Sequence, residues 1–276
     1  MRISRSPVRI LVSLSTAAVA LLLVSGGALV AQEGPDCAVK PWSYRPPTGP
    51  AQWPSLSCCS RCGGRQQSPI NITNAIRQPL LPLGFSYGTV PVHVVHTGYD
   101  IRAILPSDVP GNQRKLRIHG VDYIMDNFHF HTRSEHTLNG SDWPIEMHIV
   151  HKRPGPNGKT VAVAVFIEPG PENQQLSKIW ANLPTMRCDR RNIAHFDLQE
   201  LLPQSRASYR YAGSLTTPAC DQGVDFIVLA TPITMRPEQI QAFEHVFSSP
   251  AFPEGNRRPT QTLHGRQVVT DVPRKR

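Results

Sequence analysis

The chain has 276 residues, 39% hydrophobic and 18% charged, a globular composition with enough length for one large domain and its core. Its 27 prolines and 19 glycines are scattered, which argues for strands and turns and against a helical bundle. The formal charge of +9 falls to +6 without Arg2, Arg5 and Arg9. No basic run is interleaved with aromatics, so the excess reads as a solvated basic surface rather than a nucleic-acid site.

Those three arginines open an acid-free segment, and an apolar run from Ile10 to Val24 follows, then small residues leading to Ala31. Residues 1–31 are read as a secretory signal cleaved near Ala31, because Ser13, Ser15, Thr16 and Gly26-Gly27-Ala28 suit processing. An uncleaved anchor is the alternative, since Ile10 to Val30 is long enough to cross a bilayer. Export implies a secreted or periplasmic protein with no stable membrane partner after cleavage. An oxidising compartment would then pair some of Cys37, Cys58, Cys59, Cys62, Cys188 and Cys220.

Residues 32–65 are rich in Pro, Ser, Cys and Trp and lack periodicity, which predicts an irregular segment packed on the main body. The body, 66–270, reads as strands: Val92 to Val95, Tyr123 to His131, Ile145 to His151, Val161 to Ile167 and Phe226 to Leu229 are short β-branched or alternating runs between turns. One helix is predicted late, with Pro237 in its first turn and Ile240, Phe243 and Phe247 at helical spacing. Residues 271–276 form a basic tail. The expected fold is α+β and strand-dominated: one domain on a large central mixed, mostly antiparallel twisted sheet with short peripheral helices.

In Asn127-Phe128-His129-Phe130-His131, strand alternation places both histidines on one face and both phenylalanines on the other. The imidazoles then lie about 6 to 7 Å apart along the strand, which suits one small cation. After a turn region from Thr132 to Pro144, the alternating run from Glu146 to Val150 shares a face between Glu146 and His148, and an antiparallel partner would deliver His148 as a third ligand. Three neutral imidazoles with an open fourth position describe a catalytic zinc site, Zn(2+), rather than a structural one. His129-x-His131 followed by Glu135 also resembles the first metal motif of cupins. A cupin's later ligand follows a P-x-G turn, and this chain has no such turn in the right place.

Motifs over most of the chain decide between these readings. Gln67-Ser68-Pro69-Ile70-Asn71-Ile72, Phe128 to His131, Ser134-Glu135-His136, Glu146 to His151 and Gly213-Ser214-Leu215-Thr216-Thr217-Pro218 occur in the order and approximate spacing of α-class carbonic anhydrases. The chain resembles that family from about Trp42 to Val268, and its short loop from His131 to Glu135 resembles the bacterial branch. The resemblance implies zinc-dependent reversible hydration of carbon dioxide to bicarbonate and a proton, by hydroxide on the metal. Three neutral ligands leave zinc its full charge, which brings bound water to a pKa of about 7, the value established for this family. The resemblance assigns Glu146 to hold His148 and Asn127, where the family has Gln, to hold His129. Thr216 and Glu135 match the pair that orients the nucleophile. Val150, Val163, Leu215 and Phe226, with Thr216 and Thr217, match the substrate-binding wall, Phe226 standing where the family has Trp. An inactive, recognition-only relative is the remaining alternative, but no ligand histidine is lost. The resemblance carries no implication for oligomeric state.

Two departures matter. The family's fastest members export the proton through a histidine in an N-G-H motif. Here the stretch reads His96-Thr97-Gly98-Tyr99, and a tyrosine with an unperturbed pKa near 10 is a poor relay for a donor near 7. Slow proton export is therefore expected, with His96 on the wrong face of its strand to substitute. Cys62 and Cys220 match the disulfide of extracellular members, whereas Cys37, Cys58, Cys59 and Cys188 have no such guide. Cys58, Cys59 and Cys62 also admit a metal clip, which the absence of a second nearby pair disfavours.

Overall fold

The structure, a computed structural model, describes residues 37–156, 158–181 and 183–274. The expected signal at 1–31, residues 32–36 and the tail residues Lys275 and Arg276 lie outside them. Eight strands build the centre: β1 (Thr89–His96), β2 (Ile101–Ile104), β3 (Val121–Thr132), β4 (Ile145–Lys152), β5 (Thr160–Pro169), β6 (Arg190–Asp197), β7 (Ser208–Ser214) and β8 (Gln222–Leu229). Their spatial order is β6–β1–β2–β3–β4–β5–β8–β7, continued beyond β7 by Val269–Thr270 and Ile76–Arg77. Neighbours among the eight are antiparallel except β5 and β8, which run parallel. The sheet is thus mixed and mostly antiparallel, as the sequence predicts.

β5 explains how such a sheet buries both faces. Val161, Val163, Val165 and Ile167 enter a core cluster with Phe128, Phe130, Met147 and Ile149, while Ala162, Ala164 and Phe166 enter a second cluster with Tyr211, Val224 and Phe226. A strand covered on both faces reads as a continuous apolar run. Each fully buried Val or Ile contributes about 1.5–3 kcal/mol.

Two helices cover the first cluster. α1 (Gln174–Trp180) was not read from the sequence, because its seven residues are too few to display a period. Its start is nevertheless marked by Asn173, whose side chain accepts the backbone N–H groups of Gln175 and Leu176. α2 (Pro237–Val246) matches the predicted helix, with Pro237 in its first turn and Ile240 and Phe243 buried. Phe247 follows as its C-terminal cap and is also buried.

A bulge in β3 sets the direction of the histidines. The register with β4 shifts between Met125 and Asn127, which leaves Asp126 unopposed. Before it, odd-numbered Tyr123 and Met125 face the core; after it, Phe128 and Phe130 do. One extra residue has exchanged the two faces, so His129 and His131 point out of the core.

The N-terminal segment packs Trp42, Tyr44 and Trp53 with Cys59, Cys62 and Cys220 in a third cluster. Cys62 and Cys220 form the expected disulfide across 158 residues. Cys58 and Cys59 are bonded to each other, so none of Cys58, Cys59 and Cys62 is left as a thiolate for a metal clip. Among the described residues no helix is long and apolar enough to cross a membrane.

Candidate metal centre and its cavity

The β3–β4 register sets His129 directly opposite His148 and His131 opposite Glu146. The three imidazoles each offer one ring nitrogen, and these lie within 4.8 Å of one another. Behind them, Phe128 packs at a tilt against Phe196 and Phe130 meets Trp180 and Phe243 edge-on, which fixes β3 from its core side.

Each imidazole is oriented by a separate acceptor. His129 Nδ1 lies 3.0 Å from Asn127 Oδ1, His131 Nδ1 lies 2.9 Å from the Asn256 carbonyl, and His148 Nε2 lies 2.6 Å from Glu146 Oε1. These oxygens accept, so the ring nitrogens facing them carry the protons. The lone pairs left over are Nε2 of His129, Nε2 of His131 and Nδ1 of His148. His131 Nε2 is fully buried and has no hydrogen-bond partner among the described residues. Burial holds His129 well below the usual imidazole pKa, helped by the charge of Arg102 and by the two neighbouring histidines. Neutral imidazoles with converging lone pairs are what a borderline-soft cation requires.

Glu146 and Asn127 therefore stand where the sequence expects them. No role for Asn256 was predicted from the sequence. It accepts from His131 through its carbonyl and from Thr132 N–H through its side chain, and its amide donates to the carbonyls of Tyr99 and Phe130. A backbone contact made 125 residues away in sequence leaves no local signal.

Glu146 also accepts from His136, from Nδ1 at 2.6 Å and from the backbone N–H at 2.7 Å. Burial alone would raise this carboxyl, but His136 and His148 together hold it well below the carboxylate range. His136, Glu146 and His148 form a second grouping of potential ligand atoms. Both imidazoles direct a ring nitrogen at one carboxylate, and His136 Nε2 continues to the Tyr211 hydroxyl at 2.6 Å. We therefore read the grouping as a buried hydrogen-bonded chain rather than a second metal site.

Beside the histidines opens a cavity of ≈ 250 Å³. Val150, Leu215, Thr216, Thr217 and Phe226 line it with His129 and His148, as the sequence expects. Val163 does not. It lies fully buried on the opposite face of β5, and Ala162 and Val224 line the wall in its place. The expected position was one residue out of phase, and a one-residue slip on a strand exchanges the faces. Arg102, Asp126 and Lys152 add charge to the polar side, which the sequence reading did not foresee.

Glu135 is buried beside this centre. Its Oε1 accepts the Arg258 backbone N–H at 2.8 Å, and its Oε2, 3.8 Å from His148 Nδ1, has no hydrogen-bond partner among the described residues. Thr216 is buried at the cavity wall.

Tyr99, expected at the cavity mouth, is absent from the lining. Its hydroxyl accepts the Lys40 backbone N–H at 2.9 Å, and its ring lies 4.4 Å from that of Trp42. His96 is also outside the cavity, packed on Phe247, and burial lowers its pKa.

The family model described as eukaryotic-type carbonic anhydrase matches residues 48–272. A carbonic anhydrase of Klebsiella pneumoniae is 37% identical over 233 residues, covering 83% of this chain and 90% of that protein. One from Neisseria gonorrhoeae is 34% identical, covering 83% and 87% respectively. Among solved structures, the α-carbonic anhydrase of Thermovibrio ammonificans in complex with the inhibitor sulfanilamide superposes with a TM-score of 0.76 at 35% identity, covering 84% of this chain and all of that one.

Proposed function

This chain belongs to the eukaryotic-type carbonic anhydrase family and is a carbonate dehydratase, and on that premise we propose that it hydrates carbon dioxide at a zinc ion held by His129, His131 and His148. The observation that carries this reading is the set of three imidazoles whose protons point outward to Asn127, Asn256 and Glu146, leaving the buried Nε2 of His131 without a partner among the described residues. With no carboxylate in the set, it suits zinc better than calcium or magnesium. Zinc, when bound, supplies a Lewis acid and a hydroxide nucleophile at neutral pH.

The remaining work falls to the chain's own groups. Glu135 is held as an acceptor by the Arg258 N–H, and its unpartnered Oε2 suits the Thr216 hydroxyl proton. Thr216 Oγ1 is then left to accept from the nucleophile, which aims the attacking lone pair at the substrate carbon. A ligand without a proton to donate there meets a lone pair instead. Val150, Leu215, Thr217 and Phe226, joined by Ala162 and Val224, form the wall that receives the nonpolar substrate. Tyr99, tied to Lys40 outside the cavity, offers no efficient path for the product proton, so proton export limits turnover. The Cys62–Cys220 bond supports an extracytoplasmic location and holds the loop that carries Thr216.

Stopped-flow hydration of carbon dioxide by Thr216→Ala and Glu135→Gln tests the orienting pair. We expect kcat/KM to fall about 100-fold in each with zinc content unchanged, and unchanged rates would remove the pair from the mechanism.

A further inference from the structure

Arg102 is a charged group of the cavity lining that the proposed chemistry leaves without a role. It faces His129 in the β2–β3 register and lines the cavity with His129, His148 and Thr216. Its Nη2 is 2.6 Å from Asp100 Oδ2, and Asp100 Oδ1 accepts the Thr97 hydroxyl at 2.7 Å. Asp100 is 3% exposed and does not line the cavity. The carboxylate thus stands behind the guanidinium and fixes its direction, and the cation rather than the anion of this pair meets the cavity.

The other charged groups of the lining differ. Lys152 Nζ donates to Asp126 Oδ2 at 3.1 Å, and Asn127 Nδ2 donates to the same oxygen at 3.0 Å, so both members of that pair face the opening and cancel there. The cavity is therefore divided: an apolar side of Val150, Ala162, Leu215, Val224 and Phe226, and a polar side on which Arg102 is a fixed cation. A reaction that turns a neutral molecule into an anion uses both sides. A planar guanidinium fork matches the two oxygens of a carboxylate-like anion, which a lysine cannot do.

We propose that Arg102 is a bicarbonate-binding residue that gives the cavity a preference for small singly charged oxyanions over uncharged ligands of similar size. The inference rests on reading this cavity as the place where carbon dioxide and bicarbonate interconvert. Asp100 acts as its positioning residue and Thr97 steadies Asp100. Because the overall equilibrium fixes the ratio of kcat/KM in the two directions, rate constants for one direction do not isolate this role. Relative binding does.

The test is calorimetric titration of the zinc-loaded full chain with sodium bicarbonate, sodium formate and the uncharged ligand 1,2,4-triazole, for wild type, Arg102→Gln and Arg102→Lys. We expect Arg102→Gln to weaken bicarbonate and formate about tenfold while triazole binding changes less than about twofold, with Arg102→Lys intermediate because charge returns without the fork. An unchanged ratio of anion to triazole affinity in Arg102→Gln overturns the proposal, and so does an equal loss for all three ligands. Stopped-flow hydration by the same wild-type sample separates the two readings. Arg102-dependent formate binding without hydration supports the anion site and contradicts the proposed function, whereas hydration with an Arg102-independent ratio does the reverse.

Discussion

The metal centre and the turn that carries Tyr99 are built in different ways. At the centre, two neighbouring strands in fixed register supply all three imidazoles, and each ring is oriented by its own acceptor. Tyr99 instead follows the turn after β1, and its side chain is claimed by the N-terminal segment through Lys40 and Trp42. Ladder register leaves little room for variation, because one step of slip would turn every imidazole into the core. A side chain beyond a strand end is not held by register and has been drawn into another contact. The three-histidine cluster is complete, and the proposed route for the proton is where this protein departs from the pattern it resembles.

The largest expected effect breaks the centre from behind. Phe130→Ala removes a fully buried ring that meets Trp180 and Phe243, and should lower unfolding stability by about 3–5 kcal/mol in chemical denaturation. Zinc affinity should fall with it although no imidazole is touched; a stable variant with wild-type affinity would show that the core face does not set the histidines. Next, Glu146→Ala leaves His148 Nε2 without its acceptor, and competition with a chromophoric chelator should show zinc bound about 10- to 100-fold more weakly.

A third effect separates the two faces by pH. His151 lies on the core side of β4, its Nε2 2.6 Å from the Tyr87 hydroxyl, and burial lowers its pKa from 6.5 to about 3. The unfolded chain therefore takes up a proton below pH 6.5 that the folded chain refuses until about pH 3. This contribution to stability is present above 6.5 and is lost as pH falls through that window, by about 1.4 kcal/mol per unit. In denaturant titrations from pH 6 to 4, His151→Gln should show a shallower loss than wild type, and equal slopes would refute the assignment.

The smallest effect lies at position 99. Added imidazole buffer should raise wild-type turnover about tenfold at low buffer, and Tyr99→His only about threefold, because position 99 is turned toward Trp42. No response to either would show that proton export does not limit the rate.

The strand pattern made most of the centre readable. Alternation in Asn127 to His131 and Glu146 to Val150 gave the shared faces, and the register met them. The bulge at Asp126 left no mark in the sequence, because a strand with one extra residue still alternates on either side of it. Val163 was misplaced for a related reason: β5 is apolar on both faces, so composition could not say which valine or alanine looks into the cavity. Asn256 and Arg102 were missed because their places depend on long-range contacts, one through a backbone carbonyl and the other through the β2–β3 register that sets it opposite His129.

The most direct test of the account measures zinc content and carbon dioxide hydration together. Wild type and His131→Ala are assayed by metal analysis and stopped flow before chelation, after chelation and after zinc is restored. The account predicts one zinc per wild-type chain, activity that disappears and returns with it, and neither zinc nor activity in His131→Ala. Hydration that survives complete removal of zinc, or persists undiminished in His131→Ala, would contradict it.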